Sequence, residues 1–448
     1  MKPQFLIGAT SSGSGKTVFT IGLLRSLKKR QLKVQPYKCG ADFIDTLMHG
    51  LAVGAGSVNL DLWLADKTHI QYSYNKYGES ADVCLVEGNA SLYDGYKRMH
   101  GSSAEISYLL SIPVLLIVNA RSSAYSVAPM LYGYKHFRPD IKILGVVFTN
   151  VSSPLHFSYL KDACDDAGLH CFGYIPYDES LKLPSKHSAL TQSVKNEIEA
   201  IIEKSSSYID KYIDVDIILK SCSRIFPCKY TLPYTSDVEE LEMNMIRNGK
   251  KMRIGIARDG AFNFMYKENL DKLSSLGEIY YFSPLYSKEL PDNLDMIYLP
   301  GGFSELFARQ LYRRKDFLQQ LKKFADSGGK IYAEGGGTVL LCQTITIREG
   351  GTAYEMSGIL PFDCFLNKNG IISGYRHLSY KEIRLKGYES RYIQVKDKNT
   401  GCFSQCSFIK IENTRGVNTG TPLYRYKNVI ASFTHFYWGD VDILKLWD

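Results

Sequence analysis

The 448-residue sequence lacks several features that would place it in a special class of proteins. No apolar run approaches the roughly 20 residues that a transmembrane helix needs, and the opening stretch "MKPQFLIGATSSG" has too short an apolar run for a signal peptide. No block of five or more Lys and Arg occurs, which leaves a nucleic-acid-binding arm without local support. The sequence therefore predicts a cytoplasmic protein with neither a membrane anchor nor a nucleic-acid partner.

The ten cysteines also lack the spacing of a metal site, since none forms a C-x-x-C pair and His is scarce near them. We therefore expect reduced, buried thiols rather than zinc ligands or a disulfide framework. The formal net charge of +8 mildly favours anionic ligands. The length exceeds that of one ordinary hydrophobic core, which predicts two domains.

What the sequence does contain is two series of short apolar runs that alternate with helical patterns, the mark of an α/β fold. The first series predicts a parallel sheet within an N-terminal domain over residues 1–195. A bridging helix and a polar linker are predicted over 196–250, and a second α/β domain over 251–448. The strands predicted first are "QFLIGAT", "KVQPYKC", "DVCLVEGN", "PVLLIVNA", "KILGVVFTNV" and "HCFGYIP"; those of the second series are "MRIGIARDGAF", "IYYFSPL", "DMIYLPGGF", "KIYAEGGG" and "VIASFTHFYWG".

A phosphate-binding loop follows the first predicted strand directly and precedes an amphipathic helix. Its predicted nucleotide-binding residues are Gly13, Ser14, Gly15, Lys16 and Thr17. Glycines let backbone N–H groups turn toward phosphates, a lysine supplies charge to the outer phosphates, and a threonine hydroxyl suits Mg²⁺. The strict pattern has glycine where this chain has Thr10, so the loop is a variant. We expect it to bind ATP.

Three carboxylates follow the second and third predicted strands, at the end of a parallel sheet where ligands bind. Asp42 and Asp45 lie in "KCGADFID", and Glu87 lies in "VEGN". Taken together with Thr17, Asp42 and Glu87 are the candidate ligands for Mg²⁺ beside the phosphates. Each acid taken singly is equally compatible with a solvated loop residue or a helix cap.

Segments spread over nearly the whole chain resemble those of the cobyrinate a,c-diamide synthase family, in the same order. They are "SSGSGKT", "KCGADFID" with His49 following, "NLDLWL", "EGNASLYDG", "GSSAEISYLL", "LPSKH", "YLPGGFSELFARQL", "YAEGGG", "SGYRH" and "ASFTHF". The resemblance implies a P-loop synthetase domain followed by a class I glutamine amidotransferase-like domain. It also implies that ATP, Mg²⁺ and glutamine nitrogen serve to amidate the a and c acetate groups of cobyrinic acid, a tetrapyrrole polyacid.

The resemblance further implies roles for particular residues. Asp45 and Glu87 would support transfer of a phosphoryl group to the substrate carboxylate, which gives an acyl phosphate that ammonia can attack. In the family, a cysteine releases that ammonia from glutamine by way of a thioester. The family's base position corresponds to His435, and the cysteine position corresponds to Gly335, in Ala-Glu-Gly-Gly-Gly where the family reads Ala-Glu-Cys-Gly-Gly.

Glycine cannot form a thioester, so the sequence predicts an impaired glutaminase with ammonia as the donor. Other departures agree: Tyr437 stands where the family has a second histidine, and Tyr388 and Ser390 stand within a stretch that the family writes Gly-His-Glu-Phe-His. Cys342 is seven residues after Gly335, about two turns along the next helix, and is predicted to lie too far away to substitute.

Two alternatives stay open at this point. One is amidation of another tetrapyrrole, such as a nickel sirohydrochlorin. The other is a non-synthetic ATPase that binds a corrinoid or a partner as a regulatory module. A homodimer is compatible with the sequence, and His187 in "LPSKH" fits either the family motif or a loop position.

Overall fold

The computed structural model describes residues 1–185, 191–228, 251–348, 350–367, 370–397 and 406–448. These residues form two compact units. Residues 1–185 and 192–228 make up the first unit, and the described residues from 251 onward make up the second. His187 and the predicted linker over 229–250 lie outside the described residues. Among the helices that the structure describes, none has both the length and the apolar character needed to cross a bilayer.

The first unit is built on an eight-stranded sheet. Its strands are β1 (Lys2–Ala9), β2 (Val34–Cys39), β3 (Val58–Leu60), β4 (Val83–Glu87), β5 (Val114–Asn119), β6 (Ile143–Val151), β7 (Cys171–Pro176) and β8 (Ser223–Arg224). The order is β3-β2-β4-β1-β5-β6-β7 with every neighbour parallel, and β8 pairs antiparallel with β1. All six strands predicted for this unit are present, because a sheet covered on both faces requires continuous apolar runs.

Eight α-helices connect these strands or follow them. They are α1 (Lys16–Lys29), α2 (Ile44–Val53), α3 (Lys67–Gly78), α4 (Ser103–Leu110), α5 (Ala128–Phe137), α6 (Pro154–Asp166), α7 (Gln192–Tyr212) and α8 (Val215–Ser221). The strand order reverses around β1, so the loop after β1 opens at the switch point where such sheets bind ligands.

The helix expected to bridge the domains, α7, instead packs against α1 of the first unit. Its buried residues recur at helical spacing, and Ser205 donates a 2.9 Å hydrogen bond to the carbonyl of Val18. A Cβ on Gly22 would overlap Ser205, so glycine permits this close approach. The predicted boundary at residue 195 therefore falls inside a helix of the first unit, because the apolar face of α7 is buried there.

The second unit combines one large sheet with two small ones. The strands are β9 (Met252–Ala257), β10 (Gly277–Phe282), β11 (Met296–Leu299), β12 (Lys330–Glu334), β13 (Thr344–Thr346), β14 (Ala353–Glu355), β15 (Phe362–Leu366), β16 (Ile372–Tyr380), β17 (Ile383–Arg391), β18 (Ile393–Asp397), β19 (Ser407–Ile409), β20 (Glu412–Asn413), β21 (Leu423–Tyr426), β22 (Val429–Ser432) and β23 (Thr434–Tyr437). The seven-stranded sheet has the order β10-β9-β11-β12-β22-β21-β19, and the four-stranded sheets have the orders β14-β13-β15-β18 and β20-β16-β17-β23.

Four α-helices of this unit are described: α9 (Lys267–Leu276), α10 (Ala308–Tyr312), α11 (Lys315–Asp326) and α12 (Gly336–Leu341). Tyr298, Tyr332 and Trp438 are fully buried and pack edge to face within its core, with ring centroids of both tyrosines about 6 Å from that of Trp438. The core fixes β12 and β23, which carry the predicted elbow and the predicted base. Both predicted α/β units are thus confirmed.

Candidate functional site

The predicted phosphate loop lies between β1 and α1, with Gly13 and Gly15 in the left-handed region at φ 76° and 80°. Glycine adopts this conformation at little cost, which lets the loop curl. The hydroxyl of Thr149, at the end of β6, donates a 2.7 Å hydrogen bond to the carbonyl of Ser14 and ties the loop to the sheet. Lys16 Nζ donates to the carbonyl of Ala90 at 2.7 Å. The loop therefore has the shape that holds phosphates.

Glu87 ends β4 and meets the loop directly. Its Oε1 accepts a hydrogen bond of 2.8 Å from the hydroxyl of Thr17, the second residue of α1. The carboxylate is fully buried. The structure thus brings two of the three predicted metal ligands together.

Lys38 is the central residue that sequence reasoning missed. It lies on β2, is 2% exposed, and its Nζ is 2.7 Å from Asp45 Oδ2 and 3.0 Å from Glu87 Oε1. Burial alone would lower the pKa of Lys38, but the two carboxylates outweigh burial and raise it. The same ammonium and the His49 hydrogen bond hold the pKa of Glu87 well below its usual range in spite of burial. The centre is therefore a charged network.

Lys16 differs from Lys38 in the direction of its pKa shift. Burial is the larger cause and repulsion from Lys38 the smaller, and together they lower the pKa of Lys16 to about 8. Such a lysine gains a full charge when an anion arrives, which suits a nucleotide's outer phosphates.

Asp42, the third predicted metal ligand, caps a helix. Its Oδ1 accepts hydrogen bonds from the backbone N–H groups of Ile44 (2.9 Å) and Asp45 (2.8 Å) as α2 begins. Over the part of the chain that the structure describes, no three His, Cys, Asp or Glu side chains are grouped to hold a metal ion. Mg²⁺ would accordingly need phosphate oxygens in addition to Thr17 and Glu87, which is how this ion is commonly bound beside nucleotides.

A cavity of about 800 Å³ extends from the phosphate loop to the end of β7. Lys16 and Thr17 line one end, and Asn150, Tyr177 and Asp178 line another part of its wall. Sequence reasoning did not select the latter three. Asn150 lies near the end of β6, and Tyr177 and Asp178 follow β7, so their position at the carboxyl edge of the sheet was the available signal. The cavity is large enough for a nucleotide-sized ligand.

In the second unit, Gly335 forms a sharp turn between β12 and α12, with φ 47° and ψ −113°. A Cβ built on Gly335 would lie 2.8 Å from His435 Nε2. The backbone thus still aims position 335 at the predicted base, and the imidazole occupies the room that a side chain there would need.

His435 is buried on β23, and burial lowers its pKa to about 4. Its Nδ1 is 3.9 Å from Oε2 of Glu334, whose pKa burial raises to about 7. The Glu334 carboxyl accepts hydrogen bonds from the hydroxyls of Tyr298 (2.9 Å) and Tyr332 (3.0 Å) and from the N–H of Phe436 (3.0 Å). Glu334 thus anchors the elbow strand to β23.

The residues that depart from the family's pattern have structural partners of their own. The Tyr437 hydroxyl donates a hydrogen bond to Glu268. Glu389 accepts hydrogen bonds of 2.6 Å from Arg376 Nε and from Arg391 Nε within the β16–β17 pair. Tyr437 and Arg391 thus make a hydrogen bond and an ion pair at positions where the resemblance would have placed histidines.

Cys342 lies just past the end of α12, since this helix stops at Leu341 and is shorter than expected. Its Sγ donates to the carbonyl of Thr338 at 3.3 Å, and contact with Cys364 together with burial raises the pKa of the thiol. A buried thiol of raised pKa is a poor nucleophile.

Comparison with known proteins gives the same division of the chain. Residues 5–190 match the family model of the CobQ/CobB/MinD/ParA nucleotide binding domain. Residues 253–442 match that of the CobB/CobQ-like glutamine amidotransferase domain. The two matched ranges contain the phosphate loop and the Gly335 elbow, respectively.

Curated relatives match over almost the whole length. A cobyrinate a,c-diamide synthase of Caldanaerobacter subterraneus subsp. tengcongensis is 33% identical and covers 96% of this chain and 94% of the relative. One of Saccharolobus solfataricus is 32% identical and covers 98% of this chain and 99% of the relative. One of Clostridium acetobutylicum is 32% identical over 99% of both. On these grounds the chain belongs to the cobyrinate a,c-diamide synthase family of ATP-dependent carbon–nitrogen ligases.

Proposed function

We propose that this chain uses ATP to amidate the a and c acetate carboxylates of cobyrinic acid, through acyl phosphates, with ammonia rather than glutamine as the nitrogen source. The full-length likeness to cobyrinate a,c-diamide synthases supports the substrate. The absence of a side chain at Gly335, on an elbow that still faces His435, is the observation that carries the choice of ammonia.

In the first step, a carboxylate oxygen of the substrate attacks the γ-phosphorus of ATP, and the bond from that phosphorus to the ADP oxygen breaks. Lys16 places a positive charge at the loop that would hold the outer phosphates, and Lys38 lies beside Asp45 and Glu87 at its edge. Thr17 and Glu87, which lie 2.8 Å apart, would hold Mg²⁺, which when bound neutralises phosphate charge.

In the second step, ammonia attacks the acyl carbon and inorganic phosphate leaves with the electron pair of the C–O bond. The nitrogen loses one proton, and the products are the amide and hydrogen phosphate. Neutral ammonia is the nucleophile, so the reaction needs no thioester once ammonia is present.

The second unit acts in this proposal as a scaffold that keeps the amidotransferase fold without its chemistry. His435 is buried, and its pKa of about 4 makes it neutral at physiological pH. No thiol stands at position 335 for it to activate.

We also place the reaction in the cytoplasm, since the nine cysteines that the structure describes are all free. A homodimer is compatible with this proposal.

The test is an assay of the purified chain with ATP, Mg²⁺ and ammonium, in which ATP consumption and product mass are followed together. Cobyrinic acid, a nickel sirohydrochlorin and no tetrapyrrole form the three arms. We expect two amidations of cobyrinic acid and little ATP use without it. Amidation of the nickel compound alone would replace the substrate assignment. Equal ATP use in all three arms, without amide formation, would favour the regulatory ATPase.

A further inference from the structure

His49 is a buried side chain that the mechanism above does not use. It lies on α2, is 0% exposed, and its Nε2 is 2.6 Å from Glu87 Oε2. The other ring nitrogen, Nδ1, is 3.0 Å from the hydroxyl of Ser57, which is itself buried just before β3. From its place on α2, the His49 imidazole thus contacts the Ser57 hydroxyl on one side and one oxygen of the Glu87 carboxylate on the other.

The two oxygens of Glu87 have separate partners. Oε1 accepts from Thr17 and from Lys38, whereas Oε2 accepts from His49. Because an ionised carboxylate only accepts hydrogen bonds, Nε2 carries a hydrogen. A carboxyl group with one oxygen tied in this way cannot rotate freely about its last torsion.

The geometry points to His49 as a positioning residue that, supported by Ser57, fixes the Glu87 carboxylate with Oε1 toward Thr17 and thereby preorganises the metal–nucleotide site. This inference rests on the proposed use of Mg²⁺ and ATP. Partners that orient a metal-ligating side chain typically change metal affinity by about 10–100-fold when removed. If His49 only packed in the core, its replacement would lower the free energy of unfolding without changing metal affinity. Measuring both quantities therefore separates the two roles.

The experiment measures Mn²⁺ binding by electron paramagnetic resonance, with Mn²⁺ as the probe ion, in the full-length chain saturated with ATP but without tetrapyrrole. His49→Ala is expected to weaken Mn²⁺ binding about tenfold or more. His49→Gln keeps an N–H donor near the Nε2 position and is expected to restore most of the affinity. Ser57→Ala removes only the outer support and should weaken binding by a smaller factor. ATP affinity in EDTA should stay within about twofold of wild type in all three.

His69→Ala is the matched control, because His69 is another buried histidine of the first unit. It should lower the melting temperature without changing Mn²⁺ affinity.

Wild-type Mn²⁺ affinity in folded His49→Ala, equal weakening of Mn²⁺ binding in His69→Ala, or no rescue of Mn²⁺ affinity by His49→Gln would overturn the inference. If His49→Ala does not fold, the other two variants decide. A moderate loss of Mn²⁺ affinity in Ser57→Ala, with affinity kept in His49→Gln, supports the inference. Wild-type Mn²⁺ affinity in both variants, or a loss of Mn²⁺ affinity in His49→Gln, overturns it. Failure of every tetrapyrrole to be amidated would remove the proposed function but leave this comparison intact. Absence of Mn²⁺ binding in wild type with ATP overturns the inference.

Discussion

Replacement of Lys38 by methionine should destabilise the first unit strongly. Its ammonium lies within 3.0 Å of the carboxylates of Asp45 and Glu87, and all three side chains are at most 3% exposed. Removing one partner of a buried ion pair leaves uncompensated charge and typically costs about 3–5 kcal/mol. Lys16 still acts on Glu87 electrostatically, and His49 still donates to it. We therefore expect the lower end of that range, about 3 kcal/mol.

Hydrogen exchange of the β1 and β4 amides is the suitable assay, because two units need not unfold together and a single melting temperature would mix them. Lys29→Met serves as the control. Lys29 Nζ is 2.8 Å from Glu203, a comparable distance, but both side chains are 46% exposed, and exposed pairs contribute about 0–1 kcal/mol. A loss in Lys38→Met no larger than that in Lys29→Met would refute the reasoning.

The difference between Lys38→Met and wild type should also depend on pH. The depressed pKa of Glu87 in the wild type means that its stabilising contribution is present above the unfolded-state pKa of about 4.3 and is lost as pH falls through the folded-state pKa. In the variant, burial acts on Glu87 without the opposing charge of Lys38 and favours protonation of that carboxyl. The gap should therefore be greatest near neutral pH and shrink as pH approaches 4. A gap that widens on acidification would contradict this assignment of charge.

Three further outcomes follow from the site. Binding of ATP at pH 8 should take up about half a proton, because Lys16 with a pKa of about 8 is half protonated in the free protein and becomes fully protonated beside phosphate. Calorimetry in two buffers of different ionisation enthalpy measures this uptake, and Lys16→Ala should abolish it. Glu87→Gln and Asp45→Asn should lower kcat more than ATP affinity in steady-state and equilibrium assays, and wild-type kcat in both would remove the carboxylate assignment. Gly335→Cys should gain no glutaminase activity above background in a glutamate-release assay, since its Cβ would lie 2.8 Å from His435 Nε2; efficient hydrolysis would show that the imidazole moves aside readily.

Much of the fold was predictable because its strands are buried on both faces. The central strands of the first unit are mostly apolar, and "VLLIVN" of β5 is buried throughout except at its last residue. The three-residue strand β3 was missed, since Val58–Leu60 is too short to show any periodicity. The pattern of α7 revealed an apolar face but not the partner that covers it, which is set by the position of α1 in the folded sheet.

The site was predictable where backbone conformation dictates residue type. The left-handed glycines of the loop, Gly13 and Gly15, are such positions. Lys38 was not predictable, because a lysine in "KVQPYKC" resembles any polar strand residue until two distant acids are placed around it. Asp42 shows the converse limit: an acid before a helix has the same sequence pattern whether it binds a metal or caps the helix, and here it caps.

The central claim is that ammonia reaches the acyl phosphate without glutamine hydrolysis at Gly335. The most direct test supplies ATP, Mg²⁺, cobyrinic acid, ¹⁵N-labelled ammonium and unlabelled glutamine together and determines the nitrogen isotope of the product by mass spectrometry. We predict that both new amide nitrogens carry ¹⁵N and that no glutamate accumulates above background. A diamide with unlabelled amide nitrogens, formed with matching release of glutamate, would contradict the account, because another group would then have to release ammonia from glutamine.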